Sequence, residues 1–220
     1  MTKLLYLICM VTLFSCNEKP AVTIPQKTKK TLQKESKYLG LLQKFEPISI
    51  DTLKVFSSYD FDNFKGQALD NIDVALFPKE IADNYSTDSP NLFACYKFPL
   101  DATRIGLIAR TPGEYDSTSI KLFVYDSAKD TLSNFIELAD IFGDAGDAME
   151  KTSWLFKNDH QKIQAIIWVQ QSYDHSVEDI NDTIVESWEN HYLIDLSKIK
   201  FDTMNRNSEE LAKKFKKILK

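Results

Sequence analysis

The stretch Arg104–Asp126, RIGLIARTPGEYDSTSIKLFVYD, constrains the fold more than any other part of the chain. Ile105, Leu107 and Ala109 alternate along its first run, and Ile120, Leu122 and Val124 along its second. Pro, Gly, Asp and Ser lie between them. Period-two alternation on either side of turn chemistry predicts an antiparallel hairpin, because successive strand side chains point to opposite faces. A hairpin alone cannot bury both of its faces, so the remaining segments must extend it and cover it.

Further apolar runs supply that material. Ile48–Ser57, Leu92–Phe98, Ser153–Lys157, Lys162–Gln171 and Ile184–Leu196 read as strands, and Asn71–Phe77 is another apolar run. Thr31–Phe45 predicts a short helix carrying Tyr38, Leu39, Leu42 and Phe45 on one side, and Pro78–Ala82 a single helical turn. Thr131–Phe142 starts extended and is expected to turn helical at Glu137–Phe142, with Gly143 as its C-cap. Asn207-Ser208 with Glu210 resembles a capping box opening an amphipathic helix that bears Leu211, Phe215, Ile218 and Leu219. The expectation is a mainly β, α+β domain: an antiparallel sheet of about seven or eight strands, sandwiched or curled, with a few short helices including the C-terminal one.

The N-terminus is of another kind. Leu4–Phe14 is almost wholly apolar, and Lys3 is the one charge among the first fifteen residues. Eleven apolar residues are too few to span a bilayer and suit a secretory h-region. The run ends at Leu13-Phe14-Ser15-Cys16, which resembles the lipobox of bacterial lipoproteins; Phe14 is bulkier than is usual there. The resemblance implies cleavage before Cys16, which then carries a diacylglyceryl thioether and an N-acyl chain. Several acyl chains, at about 0.8 kcal/mol per buried CH₂, hold a protein on a membrane where one would not. Asn17 does not resemble the aspartate that retains some lipoproteins at the inner membrane, which implies the outer membrane of a Gram-negative envelope. The expected organisation is a signal peptide at 1–15, an extended tether at 16–30 carrying Pro20 and Pro25, a β-rich domain at 31–205 and a C-terminal helix from 206.

Charge and cysteine content exclude other classes. The formal charge of −5 becomes −6 once Lys3 leaves with the signal, so no basic face for nucleic acid is expected. Cys9 would leave too and Cys16 would be acylated, so Cys95 remains alone, without an intramolecular disulfide and within an apolar run. There is no Gly-x-Ser-x-Gly, no Gly-rich phosphate loop and no CxxC.

Four patterns are candidates for function. Parity places aromatic side chains on a second sheet face. Helices or a second sheet would cover them; left open, Phe123, Tyr125, Trp168 and Tyr173 would form a platform for a sugar or a partner. Asp144, Asp147 and Glu150 beside two glycines could hold Ca²⁺, but reading Asp147 as a helix N-cap with Glu150 at the capping-box position is more economical. The acidic loop Tyr173–Thr183 reads as a solvated connection, although its Asp, His and Glu could bind a metal, and carboxylates around Asp144 or Asp174 could serve acid–base chemistry on an envelope polymer.

Finally, Thr52, Ser117, Ser127, Thr131, Thr183 and Thr203 each follow an Asp and precede Ala, Ile, Leu, Met or Thr. These triplets resemble the acceptor of a periplasmic general O-glycosylation system in some Gram-negative bacteria, and equally mark turns entering strands. The expectation is a lipid-anchored, non-enzymatic module that binds an envelope protein or glycan. Its alternative is an envelope-glycan hydrolase. Replacing Cys16 by Ser is expected to move the protein out of the membrane pellet and remove the acyl mass, read by fractionation and intact-mass spectrometry.

Overall fold

In the computed structural model, the described residues are 35–57, 64–113, 119–198 and 201–219. The signal peptide, the tether, Cys16 and Ser117 lie outside them. The hairpin forms as its alternation predicts. Strands β5 (Arg104–Thr111) and β6 (Ser119–Asp126) pair antiparallel, from Arg104 opposite Asp126 to Thr111 opposite Ser119. Leu107, Ala109, Phe123 and Tyr125 are buried on one face, and Ile108, Ile120 and Leu122 on the other.

Eleven strands occur among the described residues, in a sheet that is antiparallel apart from one short pair. In chain order they begin with β1 (Glu46–Pro47), β2 (Thr52–Phe56), β3 (Gln67–Ala68) and β4 (Phe93–Pro99). After the hairpin come β7 (Thr131–Asp144), β8 (Asp147–Lys157), β9 (Ile163–Asp174), β10 (Val185–Asp195) and β11 (Asp202–Asn205). The spatial order is β1-β4-β5-β6-β7-β8-β9-β10-β11, with β3 beside β4 and β2 beside β8. The count exceeds seven or eight because β1, β3 and β11 are too short to show a period, and because residues 137–142 are strand. β1 runs parallel to β4.

Long β7 turns the sheet. Its first part pairs with β6, and Asp140–Asp144 pair with β8. Where β7 leaves β8, β2 takes its place against Thr152–Phe156. The two halves thus bring their inner faces together in the largest core, where Ile108, Ile120 and Leu122 join Leu155, Ala165 and Ile167. The helix expected over Glu137–Phe142 does not form, because pairing on both edges overrides local periodicity. Gly143 is accordingly a strand residue. The turn is Ala145-Gly146, at φ of 47° and 90°, closing a two-residue hairpin loop between Asp144 and Asp147. Asp147 therefore begins β8 and caps no helix.

Both outer faces carry helices. Helix α1 (Leu39–Lys44) is shorter than the pattern predicts and buries Leu41 between Tyr38 and Phe45, leaving Leu39 exposed. The apolar run after Asp70 folds as α2 (Asn71–Val74), because the Asp70 carboxylate accepts the Ile72 and Asp73 N–H groups. With α3 (Lys79–Ala82), these helices lay Leu41, Val74, Phe77 and Ile81 over Leu107, Ala109, Phe123 and Tyr125. Helix α4 (Ser208–Lys214), capped by Asn207, lays Leu211 and Phe215 over Trp154, Phe156, Ile166 and Leu193. None of the described helices is long and apolar enough to cross a membrane.

Phe123 is fully buried, with its ring centroid 5.0 Å from that of Phe77 and 5.7 Å from that of Phe135. Phe123→Ala is expected to cost about 3–5 kcal/mol, and therefore roughly 10 °C in Tm, in a thermal melt followed by circular dichroism.

Candidate functional site

The register of β8, β9 and β10 assembles one face row by row. Trp154, Ile166 and Leu193 form an apolar row, Thr152, Trp168 and His191 the next, and Glu150, Gln170 and Glu189 the third. Helix α4 covers the apolar row. Beyond its edge Trp168 is half-buried, and Glu150, Gln170 and Glu189 are exposed. A cleft of about 450 Å³ follows this edge, with Lys54 of β2 on one wall and Ala212 and Leu219 on the other.

The polar atoms there are held in place. The Trp168 indole N–H donates to Glu189 at 2.9 Å, and the Thr152 hydroxyl donates to Glu150 at 3.3 Å. His191 Nδ1 lies 2.8 Å from the hydroxyl of Ser208, the first residue of α4. Burial pulls the imidazole pKa below its ordinary value, which keeps the ring neutral at pH 7. The Lys54 ammonium stands 5.3 Å from the Trp154 ring centroid. An indole ring beside carboxylate and amide acceptors can stack on the C–H face of a sugar and accept its hydroxyls.

Of the four aromatic residues expected to form a platform, only Trp168 lies in this cleft. Phe123 and Tyr125 are buried beneath the N-terminal helices, and the Tyr125 hydroxyl donates to Asp130 at 3.0 Å. Tyr173 has the opposite parity to Trp168 on β9, so it lies on the other face, where its hydroxyl donates to Glu178 at 2.6 Å. The expected cover over Trp168 is partial: α4 roofs Ile166, two residues earlier on the strand. Thr152, Glu189 and His191 were not legible as site residues, since only pairing register brings them beside Trp168.

The carboxylates at the β7–β8 turn do not converge. Asp144 and Asp147 flank Ala145-Gly146, and Glu150 lies on the opposite face of β8 from Asp147. In the acidic loop, Asp174 accepts the Ser176 N–H, Asp179 that of Asn181 and Asp182 that of Ile184. These carboxylates are spent on shaping the backbone. Among the described residues no three metal-binding side chains gather. Thr52, Ser127, Thr131 and Thr183 are exposed at turns or strand starts, whereas Thr203 is half-buried on β11. Cys95 is buried, and desolvation raises its thiol pKa to about 11, which leaves it unreactive.

No family model, curated protein or solved structure matches this chain.

A second polar cluster lies at the β6–β7–β8 junction. Lys121 stands 3.3 Å from one Glu137 carboxylate oxygen, and Lys151 pairs with the other. Burial works against the Glu137 charge, but the two lysines hold its pKa below the ordinary value. Asp140, buried on the same strand, is pushed up to about 6 by desolvation and by the Glu137 charge. A carboxyl with a raised folded pKa binds its proton more tightly in the folded chain, so its effect is to increase stability as pH falls through 6. Asp140→Asn is expected to flatten that gain between about pH 7 and about pH 5, measured as denaturation midpoints across the window.

Proposed function

We propose that this chain is a lipid-anchored binding module of the cell envelope, held on the outer membrane through Cys16, with the Trp168 cleft as the seat for an envelope glycan. The observation that carries this reading is the transition along one sheet face. Trp168 stands at the margin of a packed apolar row and is followed at once by Glu150, Gln170 and Glu189. Apolar surface with a few fixed polar groups is the chemistry of a ligand site rather than of a plain solvated face.

The reading from another class, an envelope-polymer hydrolase, would draw on Asp144 or Asp174. Asp144 is exposed at a turn, and Asp174 caps the 3₁₀ turn His175–Val177. The binding reading therefore has the better support.

Trp168→Ala is expected to cost about 1–2 kcal/mol of stability, less than a fully buried aromatic would, because the ring is covered on one side only. Its affinity for soluble envelope oligosaccharides should fall at least tenfold, about 1.4 kcal/mol, in a calorimetric titration. The same incubation with wild-type protein should release no reducing ends. Unchanged affinity in Trp168→Ala would remove the cleft from the reading, and release of reducing ends that Asp174→Asn abolishes would favour the hydrolase.

A further inference from the structure

Beyond the cleft, the free edge of β10 has features that call for a partner. β11 pairs with β10 only at Leu193, Ile194 and Asp195. From Val185 to Tyr192 no described strand lies on that side, and Val185, Glu186, Ser187, Trp188 and Glu189 are all exposed. The direction of the backbone groups follows from the ladder. The His175 N–H donates to the Ile184 carbonyl at 3.1 Å, and antiparallel pairs alternate between bonded and non-bonded. The Ile184 carbonyl and the backbone groups of Glu186 and Trp188 thus turn toward β9. Val185, Ser187 and Glu189 turn theirs outward, toward the open side.

Sheet edges are normally blunted by Lys, Pro or a bulge. None of these protects this edge: Val185–Tyr192 contains no Lys or Pro, and its register with β9 is unbroken. The one irregularity lies between Leu193 and Ile194, where β11 joins. The edge also carries apolar surface, with Val185 59% and Trp188 45% exposed.

Its charge selects the occupant. Between Lys162 and Asp195 the sequence contains no Lys or Arg, while Asp174, Glu178, Asp179, Asp182, Glu186 and Glu189 all fall there. A second copy adding here would bring two copies of this acidic edge together, with no Lys or Arg from Val185 to Tyr192 to offset Glu186 and Glu189, and like charges close across paired strands are destabilising. We propose that the β10 edge binds an extended, basic peptide segment of another protein by strand addition. Its main chain would bond to Val185, Ser187 and Glu189, and its Lys or Arg side chains would face Glu186 and Glu189 on opposite faces of the added strand.

The test uses the full chain purified in detergent and a synthetic peptide of Thr and Val with Lys three residues apart. Comparison peptides carry Glu for Lys, or N-methyl groups on alternate backbone amides. The lysine peptide should bind, more weakly as salt rises, and both comparison peptides should lose at least tenfold. Ser187→Pro removes an outward N–H without touching a bond to β9, so it should lose as much, while Ser187→Ala should not. The double variant Glu186→Lys/Glu189→Lys reverses the charge and should abolish binding even if the proline variant misfolds. Glu186→Lys alone, on the sheet face away from the cleft, should weaken peptide binding and leave oligosaccharide binding intact, which separates this edge from the glycan cleft. Equal binding by the N-methylated peptide would mean charge attraction alone and overturn strand addition. A chain that dimerises through this edge, and loses the dimer in Ser187→Pro, would give the edge to a second copy instead.

Discussion

The passage of β7 from β6 to β8 is the constraint on which the rest of this structure depends. A strand shared by two halves of a sheet forces their inner faces together, and that closure buries Ile108, Ile120, Leu122, Leu155, Ala165 and Ile167 in one core. It also leaves each half with an outer face still to cover. The first half is covered by α1, α2 and α3, and the second by α4. Closure further frees Thr152–Phe156 of β8 from β7, giving β2 a partner and placing Lys54 beside Trp154.

The unequal cover of the two outer faces explains where recognition chemistry can sit. Three helices bury Phe123 and Tyr125, which takes both out of any surface platform on that side. α4 is a single short helix that shelters the apolar row of β8–β9–β10 and reaches His191 of the next row through Ser208, while Glu150, Gln170 and Glu189 of the third row stay exposed. Trp168 stands where the shelter ends, tied to Glu189, while His191 ties the sheet to the start of α4. The same shortage of cover leaves β10 without a described strand beside Val185–Tyr192, because β11 pairs with only three of its residues. The proposed glycan cleft and the proposed strand-addition edge thus have a common origin in a sheet that outruns its covering elements.

The charged cluster inside the fold is paired, and the carboxylates of the exposed loop shape its backbone. Lys121, Glu137 and Lys151 offset one another at the junction of three strands, and Asp140 beside them holds its proton more tightly than an exposed carboxyl would. The acidic loop carries as many carboxylates as a cation site needs, yet several accept backbone N–H groups that have no ladder partner. Composition alone does not distinguish a solvated turn from a ligand cluster; hydrogen-bond geometry does.

Local pattern by itself determined the β-rich class, the Arg104–Asp126 hairpin, the second half of β8, strands β9 and β10 and the capped C-terminal helix. Each of these rests on period or cap chemistry within a few residues. The parity of Trp168 against Ile163, Ala165, Ile167 and Val169 was equally legible, as was the buried, unreactive Cys95. Tertiary structure decided what local pattern could not. Residues 137–142 carry a spacing compatible with a helix, and only their pairing to β6 and β8 makes them strand. Gly143 is a plausible helix stop in sequence, and only the positive φ at Ala145 and Gly146 shows where the chain turns. Phe123 and Trp168 look alike as aromatic residues on a second face, yet one is buried and the other half-exposed. The difference lies in how far the helices extend over each half, and nothing near either residue in the chain encodes that distance.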